Sequence, residues 1–274
     1  MFASDTPLAV AVFWQKGQNA AVRNSYVGDI GDFGKYGLLK ALAGEDLRLG
    51  VVWYLNEDEE KAKGDGGLTR YGHEDRQCDA QLLDAVEGLL QDRRVAAVRE
   101  RAILPRRTLF FETPLTFAGL PRGAPAAREH RRRSWCLGAL DAVREADLVF
   151  LDPDNGLTNR EDQALGPKGQ KYAATWELVP YLARGQSLIV YHHQTREAPL
   201  QQQVNRWLEL LRDERTGIDP WAFSYRRQQV RVYFVIPAPR HRDVLLARSM
   251  AFAKSRWCAW HFMTHALPAP AASA

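Results

Sequence analysis

Residues 147–157 read DLVFLDPDNGL. The opening DLVFL is a nearly continuous apolar run, the pattern of a strand buried on both faces, and such strands belong to parallel sheets covered by helices. It empties into Asp152-Pro153-Asp154-Asn155-Gly156. Turn formers follow strands everywhere, but two carboxylates and an amide in so short a loop exceed what a turn requires. Ligands gather at the carboxyl ends of strands in open parallel sheets. Asp152 and Asn155 are therefore candidate catalytic residues that bind or orient a substrate.

Outward from this strand, apolar runs alternate with amphipathic segments. Residues 49–55 (LGVVWYL), 107–112 (RTLFFE), 187–191 (SLIVY) and 230–236 (VRVYFVI) read as strands. Residues 32–43, 79–90, 126–145, 176–183, 201–212 and 241–252 read as helices, the first with Asp32 as N-cap and Phe33, Tyr36, Leu39 and Leu42 on one face. Alternation of this kind gives an α/β fold: a three-layer, Rossmann-like, mostly parallel sheet with helices on both faces. Residues 222–224 and 230–236 suit a final hairpin with an antiparallel last strand. The expected organisation is a loose N-terminal extension over 1–24, a single α/β domain over 25–265 and a disordered tail over 266–274. The basic stretch 120–133 reads as a surface insertion.

Strand ends nominate further residues. Glu112 is placed to accept ribose hydroxyls, the usual acidic contact of nucleotide-binding folds. His192 follows the 187–191 strand, with Tyr191 beside it, as a candidate proton acceptor; neighbours on a strand alternate faces, so His192 and His193 cannot both enter one pocket. Residues 28–40 (GDIGDFGKYGLLK) repeat glycine every third position, with Asp29, Asp32 and Lys35 between. Gly28, Asp29 and Gly31 thus become candidate cofactor contacts, because glycine lets backbone turn tightly or approach a ligand closely. Packing of helix on sheet accounts equally well for Gly34 and Gly37. The stretch is neither a P-loop nor GxGxxG.

Composition limits the classes of function. The chain has 274 residues, 46% hydrophobic and 26% charged, which excludes disordered, collagen-like and coiled-coil proteins. A net charge of +4 permits an anionic partner without demanding one. Arg131, Arg132 and Arg133, with Arg226 and Arg227, form two arginine clusters suited to phosphate contacts, so nucleic acid is an expected partner through them. Three scattered cysteines without CxxC argue against a disulfide framework or a cysteine zinc site and for a reducing, cytoplasmic setting. No apolar run reaches the ~18 residues of a membrane span.

Taken together, GDIGDFGKYGLLKAL and DLVFLDPDNGL resemble an uncharacterised bacterial family similar to Rossmann-like S-adenosylmethionine-dependent methyltransferases, with a fainter likeness to three-Cys-motif partner proteins. The resemblance covers roughly residues 25–240. It implies S-adenosylmethionine as cofactor, held near Gly28, Asp29, Gly31 and Glu112, and an acceptor, nucleic acid among the candidates, near Asp152 and Asn155. Asp152-Pro153 matches the first half of the Asp/Asn-Pro-Pro-aromatic motif of amino-methyltransferases, while Asp154-Asn155 departs from the second half. Two alternatives carry different expectations. A magnesium- or manganese-dependent phosphodiester or nucleotide hydrolase would use Asp29, Asp32, Asp152, Asp154 and His192. A non-catalytic nucleic-acid-associated protein would keep the fold and use the arginines.

Overall fold

The computed structural model describes residues 27–55 and 67–268. Helix α1 (Ile30–Ala43) leads into β1 (Leu49–Trp53), and α2 (His73–Cys78), α3 (Ala80–Leu89) and α4 (Val95–Glu100) connect it to β2 (Leu109–Phe111). Helix α5 (Pro125–Ala142) precedes β3 (Leu148–Asp152). Then come β4 (Gly156–Thr158), α6 (Glu161–Ala164), β5 (Tyr172–Ala174), α7 (Thr175–Ala183) and β6 (Ser187–His193). Helix α8 (Leu200–Leu211), β7 (Trp221–Arg227), β8 (Gln229–Ile236), α9 (Arg242–Ala253), α10 (Arg256–Trp260) and β9 (Phe262–His265) complete the order.

Seven strands form one sheet in the order β2-β1-β3-β6-β8-β7-β9, and β4 pairs with β5 separately. The β2-β1-β3-β6 half is parallel, and β8, β7 and β9 follow by antiparallel pairing. This is the Rossmann-like three-layer arrangement the sequence predicts, with antiparallel last strands. Strand β9 was not legible, because WCAWHFMTH (257–265) has no clean alternation.

Strand parity sorts the side chains into two cores. Leu49, Val51 and Trp53, then Leu148 and Phe150, then Ile189, Tyr233 and Val235 face the α1, α3 and α9 layer. Val52, Val149, Leu151, Leu188, Val190, Val232 and Phe234 face the α5, α7 and α8 layer. The same parity carries Asp152, Tyr191, His193 and Arg231 to the α1 side and His192 to the other.

Helix α1 begins two residues earlier than its sequence suggests. Asp29, not Asp32, is the N-cap, accepting a hydrogen bond from the Asp32 N–H at 3.0 Å. Gly31 therefore lies in the first turn. Its missing side chain makes room for Arg231: an added Cβ would fall 2.4 Å from the guanidinium. Gly34 and Gly37 likewise accommodate the Tyr225 and Trp257 rings, so the cost of glycine inside the helix is offset by close packing. A short connection turns α1 back into β1, which puts the N-terminus of α1 over the carboxyl edge of the sheet.

The basic stretch 120–133 is not a surface insertion. From Pro125 it is the first half of α5, with Arg128 and Arg132 buried.

Candidate functional site

The direction of the chain changes around β1. The connection from β1 goes to β2 on one side, and the connection from β2 returns across it to β3 on the other. Such a switch point opens a crevice at the strand ends. A cleft of about 290 Å³ lies there, lined by the start of α1, the ends of β1 and β3, and the near ends of β6 and β8. That volume is at the lower end for ligand pockets, about 300 Å³.

Lys35 organises the centre. Its ammonium donates to Asp152 Oδ2 at 3.0 Å and pairs with Asp32 Oδ1 at 2.7 Å, and it stands 4.9 Å from the Trp53 ring centroid. Burial works against its charge, but Asp152 and then Asp32 outweigh it, so Lys35 is held protonated, well above its ordinary range. Burial lifts the Asp152 carboxyl, with Lys35 pulling the other way. Asp32 also accepts from the Gly28 N–H at 3.0 Å and the Tyr36 hydroxyl at 3.1 Å. Asp29 reaches about 6, raised by burial and by the neighbouring Asp32, with Arg231 lowering it.

The cleft brings together Asp29, Gly31, Asp152 and Asn155 of the expected residues, along with Asp32, Lys35, Asp154, Tyr191, His193 and Arg231. Gly28 is outside the lining: with φ +78°, a left-handed conformation that suits glycine, it turns against Val86, Leu89 and Leu90.

His192 is elsewhere. It projects to the opposite face, accepts the Leu157 N–H on Nδ1 at 3.0 Å and packs against Trp207 and Phe234. Burial lowers it to about 4, which keeps it a neutral acceptor. Its neighbour His193 enters the cleft in its place. Glu112 sits past the end of β2, outside the cleft lining, where Arg99 approaches at 3.3 Å. Asn56 and Asp58, which the sequence places just after the 49–55 run and which read as ordinary turn residues, lie outside the described residues.

The arginine clusters separate in the same way. Arg132 has a fully buried side chain. Its five N–H groups go to both Glu177 oxygens and to the carbonyls of Ala164, Gly169 and Tyr172, so the expected nucleic-acid contact is corrected to a core brace. Arg131 donates to the carbonyls of Thr116 and Ala118. Arg133 pairs with Glu129 and stands over Trp176. Arg227 pairs with the buried Asp75, and Arg226 is exposed beside Met263.

The sequence nominates neither Lys35 nor Trp53 nor Tyr233 for the site, and Arg231 figures in it only as the last member of the basic stretch 225–231 (YRRQQVR). The signal available for Arg231 was its place in QVRVYFVI (229–236), a cation on the buried parity of an otherwise apolar strand.

Fold and cleft together define a Rossmann-like α/β protein with its pocket at the topological switch point. No family model matches the sequence, and no curated protein matches it. Among solved structures, protein LPL1258 from Legionella pneumophila str. Philadelphia 1, described under the family model DUF519, is similar at 9% identity with a TM-score of 0.39, over 90% of this chain and 97% of that one. Among the described residues no helix is long and apolar enough to cross a membrane.

Proposed function

We propose that the protein is an S-adenosylmethionine-dependent methyltransferase-like enzyme, with the cofactor on the β1 side of the cleft and the acceptor over β3 and β6. The observation that carries this reading is the charge pattern of a switch-point cleft. Asp29, Asp32, Asp152 and Asp154 face Lys35 and Arg231, a formal balance of −2. A ligand with net positive charge and a local anion suits that lining. S-adenosylmethionine has a sulfonium and an ammonium against one carboxylate, and the Trp53 ring, which already stands beside the Lys35 ammonium, lines the same cleft. Trp53 Nε1 is buried and has no hydrogen-bond partner among the described residues, which adds a donor for a bound acceptor atom.

When bound, the cofactor supplies an activated methyl group. Asp29, Gly31 and Trp53 on the cleft wall would hold the cofactor, and the chemistry it would supply is displacement of the methyl group onto an acceptor's lone pair, with the thioether as leaving group. Alignment and exclusion of water matter more for this displacement than a strong base. Asp152 and Asn155 orient the acceptor, with Asp152 held in place by Lys35. His193, kept neutral by burial and by Arg231, takes any proton released.

The hydrolase reading has less support from the same cleft. The Lys35 ammonium lies between Asp32 and Asp152, where a divalent ion would have to bridge, and His192 is on the far face. Among the described residues no group of three or more His, Cys, Asp or Glu is disposed to hold a metal.

Calorimetric titration tests the proposal. S-adenosylmethionine should bind more tightly than S-adenosylhomocysteine, which lacks the sulfonium charge. A tighter fit for the demethylated product, or binding of neither, would count against the reading.

A further inference from the structure

We propose that the β8 side of the cleft recognises an anionic oxygen group on the acceptor, a carboxylate or a phosphate, through Arg231; this rests on the methyltransferase reading above. Arg231 lines the cleft with its side chain 8% exposed. Its Nη1 has no hydrogen-bond partner among the described residues, and its Nη2 reaches Asp29 only at 3.4 Å. The Tyr233 hydroxyl, two residues along the same face of β8, is also buried without a partner among the described residues. A guanidinium with one nitrogen left over from its long Asp29 contact and an unpartnered hydroxyl on one wall match an oxyanion, which a guanidinium grips through parallel N–H donors.

The surroundings strengthen this assignment. The guanidinium lies across Gly31 in the first turn of α1. A helix N-terminus favours negative charge, so a cation resting there gains from an anion that joins it. Strands β1 and β8 lie on opposite sides of β3 in the sheet, which separates Arg231 from the aromatic β1 side assigned to the cofactor. Lys35 also answers the carboxylate of Asp152. An amine acceptor would have to displace that ammonium, whereas an acceptor anchored by its own negative group would not. Anions are thereby favoured over amines as the anchoring chemistry.

The test measures binding of inorganic phosphate, acetate and a nucleoside 5′-monophosphate to the full chain by thermal shift and calorimetry. Wild type, Arg231→Gln, Arg231→Lys and Tyr233→Phe are compared. At least one anion should bind wild type saturably, and Arg231→Gln should weaken it tenfold or more. Arg231→Lys, which keeps the charge and loses the fork, should weaken it less, and Tyr233→Phe should weaken it severalfold. Preference for acetate over phosphate marks a carboxylate acceptor, and the reverse order, improved by the nucleoside, marks a phosphorylated one. S-adenosylmethionine should bind Arg231→Gln within about threefold of wild type and should not compete with the anion.

Equal anion binding by wild type and folded Arg231→Gln overturns the assignment, as does failure of every anion to bind wild type. Competition between anion and S-adenosylmethionine overturns it too, because Arg231 would then belong to the cofactor's carboxylate. Should Arg231→Gln not fold, Arg231→Lys and Tyr233→Phe decide: anion binding unchanged in both overturns the proposal. Arg231-dependent anion binding without any S-adenosylmethionine binding would fail the methyltransferase reading and leave the anion site standing.

Discussion

Two buried arginines face opposite sides of one sheet, and they do opposite things. Arg132, under α5 and α7, has every N–H satisfied, and its partner Glu177 also accepts from Tyr54 and from the Ala174 N–H. Nothing there is left for a ligand. Arg231, under α1, is almost as buried but has one nitrogen without a partner among the described residues and one long contact. A satisfied buried ion holds structure together; an unsatisfied one beside a cleft is a cost that binding can relieve.

The largest effect should come from the satisfied side. Arg132→Ala strands Glu177 in the core, and breaking a buried pair by removing one partner costs about 3–5 kcal/mol. Chemical denaturation should show that loss, whereas Arg231→Gln should cost far less. Equal losses at the two positions would erase the distinction between them.

Asp152→Asn comes next, read mainly in activity. Asparagine serves a turn as well as aspartate does and can still accept from Lys35, which keeps Asp32 as its counter-charge, so stability should fall by about 1–3 kcal/mol, less than for Arg132→Ala. Activity toward a true acceptor should fall by orders of magnitude, as expected of a group that acts mainly in the transition state. A variant with wild-type rates would make DPDNG a turn and nothing more.

Titration sharpens the comparison between the faces. Asp29, raised to about 6, contributes stability that is fully present below its unfolded pKa and lost as pH rises through 6. His192, lowered to about 4, contributes stability that is present above its unfolded pKa near 6.5 and lost as pH falls toward 4. Each shift corresponds to about 3 kcal/mol. Denaturation midpoints followed from pH 4 to 8 should therefore lose their alkaline decline in Asp29→Asn, where the cap survives. They should lose part of their acid decline in His192→Gln. Unchanged pH profiles in both variants would contradict these placements.

The smallest effect belongs to the exposed arginines. Arg133→Ala should change stability by about 0.5 kcal/mol or less, since exposed pairs contribute little. A loss comparable to that of Arg132→Ala would mean that burial is a poor guide here.

The sheet was legible because its central strands are continuous apolar runs, and the loop after β3 stood out because its acids exceed what a turn needs. The placement of individual cations was not legible. Arg131, Arg132 and Arg133 look alike in sequence, and only the helical turn of α5 decides that Arg132 points inward to Glu177, which lies 45 residues away. His192 and His193 are a similar case: alternation says that one of them leaves the cleft, but the register of β6 decides which. Glu112 follows its strand as a ribose-binding acid should, and the structure places it beside Arg99, outside the cleft lining. Lys35 was hidden because a lysine in an apolar helix reads as a solvated position until the sheet brings Asp152 against it.

The most direct measurement is a crystal structure of the full chain grown with S-adenosylmethionine at saturating concentration. The sulfonium should lie in the cleft beside Trp53, with Asp152 facing the methyl group and Arg231 free of the cofactor's carboxylate. A cofactor bound away from the carboxyl edge of β1 and β3, or none bound at all, would contradict it.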